Sequence, residues 1–145
     1  MSLEMFEEYI CECDCEFCQR MCHVPCTGTP DDIQNLIDAG YGDRLCCDDF
    51  PGDMEKFIKP ALKGYEAKEP PFETMTFEGC TFWKNGKCEL HDKGLKPLQG
   101  KIAHHNFNML KHEKYLRFFE EVWGSQKGQD LIKYWQEEYL NKNNC

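Results

Sequence analysis

The chain has no apolar run near the roughly 20 residues of a membrane-spanning helix. It is also short of cations, with 17 Lys plus Arg against 26 Asp plus Glu and a formal net charge of −9. Without a cationic excess nothing neutralises a phosphate backbone or an anionic lipid surface, so neither nucleic acid nor membrane is expected as a partner. The opening residues Met1 to Glu8 are acidic where a secretory signal is basic and then apolar, so a cytoplasmic location is expected. No internal repeat, phosphate-binding glycine loop, nucleophile elbow or HExxH motif is present. The carboxylate pairs Glu7–Glu8, Asp48–Asp49 and Glu120–Glu121 read as solvated surface, and no catalytic residue is assigned.

What the chain does have is cysteine. Eleven among 145 residues signals a framework of disulfides or of metal-held thiolates. In a reducing compartment metal is the expected answer, and an odd number leaves one thiol over in any fully paired disulfide scheme. Cys11, Cys13, Cys15, Cys18, Cys22, Cys26, Cys46 and Cys47 lie in the first 47 residues, Cys80 and Cys88 form a second group, and Cys145 ends the chain.

The length suits a single domain over 1–145 with a modest core. A cysteine-cluster part covers 11–105, and a helical hairpin over 106–140 covers it. Thr29 can cap a helix, Pro30 suits its first turn, and Asp31 and Asp32 sit where the helix dipole is positive. Ile33, Leu36 and Ile37 give one apolar stripe, and Gly40 stops the helix. Met54, Phe57 and Ile58 suggest a short helix interrupted by Pro60, and Glu69–Phe72 an extended linker. Two further helices are expected, one through Phe107, Leu110, Tyr115, Phe118, Phe119, Val122 and Trp123, the other through Leu131, Ile132, Tyr134, Trp135 and Tyr139. Their aromatic stripe reads as core packing. The expected fold class is α+β, mainly helical, with one short β-hairpin and a cysteine-ligated metal centre.

The hairpin surrounds Asn85–Gly86, and its register bears on the metal. A two-residue turn pairs Lys84 with Lys87, sets Cys80 opposite His91, and points Cys80 and Cys88 to opposite faces. A three-residue loop pairs Phe82 with Cys88 and puts both cysteines on one face. Both registers stay open at this level.

Cys15-Glu16-Phe17-Cys18 is a CxxC whose sulfurs can reach one ion, and Cys22 and Cys26 follow at spacings of four. Zinc takes four N or S ligands, so this pair supplies half a site, and Cys80 and Cys88 are the natural second half. The expected metal ligands are therefore Cys15, Cys18, Cys22, Cys26, Cys80 and Cys88, with Cys11, Cys13, His91 and His104 as weaker candidates. Cys46 and Cys47 read as small buried hydrophobes. Cys11-x3-Cys15-x2-Cys18 also matches the cluster-binding spacing of radical enzymes, but the chain is too short for the barrel they need.

These motifs resemble the zinc- or iron-chelating cysteine-cluster domains known as the YkgJ-like group. The matching positions are Cys15, Cys18, Cys22 and Cys26, then Thr29-Pro30-Asp31-Asp32-Ile33, Cys80-Thr81-Phe82, Gly86-Lys87-Cys88-Glu89-Leu90-His91 and Lys96-Pro97. The resemblance covers roughly residues 11 to 105 and implies metal binding without implying a reaction. One departure stands out: where the family pattern places a cysteine after the basic–Pro pair, this chain has Gly100. His104, His105 or an extra front cysteine could substitute. Fewer sulfurs shift the expected cofactor from an iron–sulfur cluster or iron towards zinc. The expected function is metal binding, structural or chelating. The alternatives are an iron–sulfur redox protein or enzyme and a disulfide-stapled interaction protein.

Overall fold

The computed structural model describes residues 3–9, 16, 24–49, 56–70, 78–102 and 109–140. Helix α1, Pro30–Asp38, starts as local chemistry dictates. The Thr29 hydroxyl accepts from the Asp32 amide at 3.1 Å and the Asp32 carboxylate accepts from the Thr29 amide at 2.9 Å, a reciprocal capping box. Gly40 then takes a positive φ of 92°, and the chain leaves the helix. Ile33, Leu36 and Ile37 are buried, as the stripe requires.

Among the described residues two antiparallel two-stranded sheets follow, one more than the sequence suggested. Strand β1, Leu45–Asp49, pairs with β2, Lys56–Pro60, in the register Leu45↔Pro60 to Asp49↔Lys56. The short helix expected through Met54, Phe57 and Ile58 is therefore corrected. Phe57 and Ile58 lie in β2, while Met54 is outside the described residues. An apolar pair of adjacent residues fits either period, and here β1 supplies the hydrogen-bond partner that makes the extended form win. Strands β3, Trp83–Lys84, and β4, Lys87–Cys88, form the hairpin foreseen around Asn85–Gly86.

Helices α2 (Leu98–Ile102), α3 (Met109–Gly124) and α4 (Gln126–Tyr139) complete the order, with Ser125 capping α4 through the Gly128 amide. Helix α4 lies against α3, α1 and β2. The result is α+β with helices predominating. Trp123 and Trp135 are fully buried, and each indole N–H finds a backbone carbonyl, Gly28 at 2.9 Å and Gly42 at 2.8 Å. Burying a large ring contributes on the order of 2–3 kcal/mol, provided its polar atom is satisfied in this way. Tyr134, counted into the apolar stripe by spacing, instead points outwards and is 46% exposed. Among the described residues no helix is long and apolar enough to cross a membrane.

At the N-terminal end a 3₁₀ helix, Leu3–Tyr9, docks Phe6 completely into the core. Its ring meets Tyr115 edge-on at 6.0 Å and Phe118 at 5.2 Å between centroids. The residues just before the cysteine-rich stretch are thereby tied to α3.

Candidate functional site

Cys26 is the one front cysteine among the described residues; Cys11, Cys13, Cys15, Cys18 and Cys22 lie outside them, as does His104. Cys26 is half-buried, and the next residue is gripped from several directions. Thr27 donates its amide to Gln99 Oε1 at 2.7 Å and its hydroxyl to the same oxygen at 3.2 Å, while its carbonyl accepts from the Gln99 amide at 3.0 Å. Because the Thr27 hydroxyl proton is already given to Gln99, the Tyr115 hydroxyl is the donor in its contact with Thr27 Oγ1. Burial holds the Tyr115 hydroxyl above its ordinary titration range, so it remains a donor.

Asp32 joins the same construction. Its Oδ2 accepts from the Thr29 amide and, at 3.0 Å, from the amide of Leu98 at the start of α2. One carboxylate thus caps two helices and draws the Cys26–Thr29 segment onto Pro97–Gly100. Thr27 and Gln99 were not foreseen, and Tyr115 was read only as part of the aromatic core stripe. Their partners are 72 and 88 residues apart in sequence, and no short-range pattern marks them.

The sequence departure falls at this point. A Cβ built on Gly100 would lie 3.0 Å from Cys26 Sγ, and 2.9 Å from Lys96 Cε. Position 100 and the Cys26 sulfur are therefore immediate neighbours, with the aliphatic stem of Lys96 against the same spot. A side chain at 100 would have to displace them, so the spot is already filled by Lys96 and by a sulfur donor of the kind zinc prefers.

The second cysteine group takes the two-residue register, one of the two the sequence left open. Asn85 (φ 53°) and Gly86 (φ 79°) both take left-handed backbone, making the two-residue turn, and the pairs are Lys84↔Lys87 and Trp83↔Cys88. The three-residue register with Phe82 opposite Cys88 is not formed. Nor does Cys80 lie across from His91. Beyond Trp83 the hairpin keeps one more bond, from the Glu89 amide to the Phe82 carbonyl at 2.7 Å, before the Trp83 amide turns back to the Cys80 carbonyl at 2.9 Å and Cys80 bridges Leu62. Cys80 is 5% exposed in the core and Cys88 is half-buried against it, whereas His91 sits exposed on the 3₁₀ turn His91–Lys93.

Arg44 ties this hairpin down. Its guanidinium binds both oxygens of Glu89 at 2.9 and 3.3 Å, donates to the Thr81 carbonyl, and stacks 4.2 Å from the Phe82 ring centre. That hydrogen-bonded ion pair holds the Glu89 carboxyl below its ordinary range. Cys46 and Cys47, 1% and 0% exposed on β1, are pushed up to about 12 by burial and so are held as neutral thiols in the core.

Among the described residues no three of His, Cys, Asp and Glu are gathered closely enough to hold a metal. Cys26, Cys80 and Cys88 therefore do not make a complete centre by themselves, and the remaining expected ligands lie outside the described residues. The chain matches no protein-family model, no curated protein and no solved structure.

Proposed function

We propose that this protein binds zinc through a sulfur-rich centre at the Cys26 end of the molecule. The ligands are drawn from Cys15, Cys18, Cys22 and Cys26, and the metal serves a structural or chelating role. One observation carries the reading. The front cysteines and the Lys96–Pro97 segment belong to one motif set on grounds of sequence resemblance alone. Cys26 and Gly100 are 74 positions apart, yet the Cys26 Sγ lies against position 100. A chance match between unrelated segments gives no reason for that contact.

Cys88 is half-buried and remains a candidate ligand, while Cys80 is packed in the core beside Leu62. When bound, zinc would gather thiolates that the unfolded chain does not hold together, so its binding free energy would be folding free energy. Thr27, Gln99, Asp32 and Tyr115 hold the Cys26 backbone in place whichever front cysteines complete the set.

Elemental analysis of protein purified under anaerobic conditions tests the reading. About one zinc per chain in colourless protein is expected for a tetrathiolate-type centre. Brown protein absorbing near 400 nm would instead indicate an iron–sulfur cluster. Metal-free protein with most cysteines in disulfides would overturn metal binding altogether. Cys26→Ser should lower zinc content and stability together, and Cys88→Ser reports whether the second group contributes.

A further inference from the structure

Tyr134 belongs by spacing to the apolar stripe of α4, yet its ring is 46% exposed. It lines a cleft between α1 and α4. Pro30 and Gln34, one turn apart on α1, enclose with Lys127, Asp130, Leu131 and Tyr134 of α4 a cavity of about 450 Å³. Pro30 and Leu131 are buried and give it an apolar base. The polar groups left over are acceptors. Lys127 is paired with Asp31 on α1, and Gln34 Nε2 donates to Asp38 at 2.9 Å. Asp130 accepts from Gln126 at 2.8 Å through Oδ1. Among the described residues Asp130 Oδ2, Gln34 Oε1 and the Tyr134 hydroxyl are left without a hydrogen-bond partner. Asp31, Asp38 and Asp130 also outnumber Lys127, so the cleft favours a cation that donates.

A guanidinium suits these groups better than an ammonium. It is planar, stacks on an aromatic face, and spreads five donors over separate acceptors. The chain already holds one in this way: Arg44 binds both Glu89 oxygens, donates to the Thr81 carbonyl, and lies 4.2 Å from the Phe82 ring centre. We propose that the α1–α4 cleft is a docking site for an arginine side chain presented by a basic polypeptide partner. The guanidinium stacks on Tyr134 and donates to Asp130 Oδ2 and Gln34 Oε1, while its aliphatic stem covers Leu131 and Pro30. Lys127, Asp130 and Tyr134 are exposed, so a single ion pair here holds weakly. A polypeptide adds further positive charges, which the net charge of −9 attracts.

Fluorescence anisotropy of a dye-labelled Gly-Arg-Gly-Arg-Gly peptide, titrated with the full chain, tests the proposal against the same peptide carrying lysine or the uncharged isostere citrulline. The arginine peptide should bind more tightly than the lysine peptide, and the citrulline peptide should not bind. Tyr134→Ala removes the stacking face and should weaken binding roughly two- to fivefold. Asp130→Asn should weaken it by a similar factor, roughly two- to fivefold. Glu137→Gln removes the same charge from an exposed position of α4 outside the cleft and should leave binding nearly unchanged. All three substitutions fall at exposed positions, so the fold should survive them, and circular dichroism checks that it does. Equal affinity for the arginine and lysine peptides, or equal losses in Asp130→Asn and Glu137→Gln, would mean attraction to the overall charge alone and overturns the site. Free argininamide binding as tightly as the peptide overturns the polypeptide partner.

Discussion

Installing the absent cysteine, Gly100→Cys, probes the contact on which the functional reading depends. The new Cβ would stand 3.0 Å from Cys26 Sγ, which is the separation a disulfide requires once its own sulfur is placed about 2.0 Å from that partner. Lys96 is the obstacle, with Cε 2.9 Å and Cγ 3.0 Å from the same Cβ, so its whole side chain must move aside. Replacing a glycine inside α2 is favourable by roughly 0.5 kcal/mol on helix propensity. Closing a loop of about 75 residues is worth at most about 4.5 kcal/mol by chain entropy. Engineered bridges commonly yield less, so about 2 kcal/mol is the working figure, a rise in Tm on the order of 5–10 °C.

Two conditions separate the chemistry. In metal-free oxidised Gly100→Cys protein, peptide mapping should find a disulfide joining Cys26 to the thiol introduced at position 100, together with the rise in Tm. In reduced zinc-loaded protein, the added thiolate should slow loss of zinc to a chelator if the centre has an open position, and should do little if it is closed. Absence of the linkage with Tm unchanged would show that Cys26 and position 100 are not neighbours, and the proposed centre would lose its main support.

Cys46 and Cys47 make an alkaline prediction. Their thiols, ordinarily at 9.0, are raised to about 12 in the folded protein, so the unfolded chain loses these protons first. Their contribution to stability is complete below pH 9 and is lost as pH rises towards 12, at up to ~1.4 kcal/mol per pH unit for each thiol. Denaturant titrations of Cys46→Ala/Cys47→Ala should show a flatter decline between pH 9 and 11 than the unaltered chain, and parallel curves would contradict the burial. Gly42→Ala should destabilise by roughly 2 kcal/mol or more, because the added methyl meets the Tyr139 ring, with Cε1 at 2.6 Å. If the ring is the cause, Gly42→Ala should cost far less in a Tyr139→Ala background, and equal costs in both would refute it.

Helix α1 and the Asn85–Gly86 turn were legible in the sequence because their causes lie within a few residues. Thr29, Pro30 and Asp32 satisfy one helix end among themselves, and Asn85 and Gly86 accept left-handed backbone without help from elsewhere. The aromatic stripes of α3 and α4 were legible for the same reason, since a 3.6-residue period declares a buried face, although spacing alone could not tell that Tyr134 faces out. Strand β2 was not legible: Phe57 and Ile58 fit a helix or a strand, and only β1 lying alongside decides between them. The orientation of Cys80 was decided by Leu62, a partner outside the hairpin that no register argument within the hairpin could include. The sequence by itself determined that this chain is rich in sulfur donors, poor in cations and built largely from helices. That the Cys26 sulfur lies against Gly100, held there by Thr27, Gln99, Asp32 and Tyr115, was decided by tertiary structure alone, because hydrogen bonds spanning 66 to 88 residues leave no periodic or local trace in the order of amino acids.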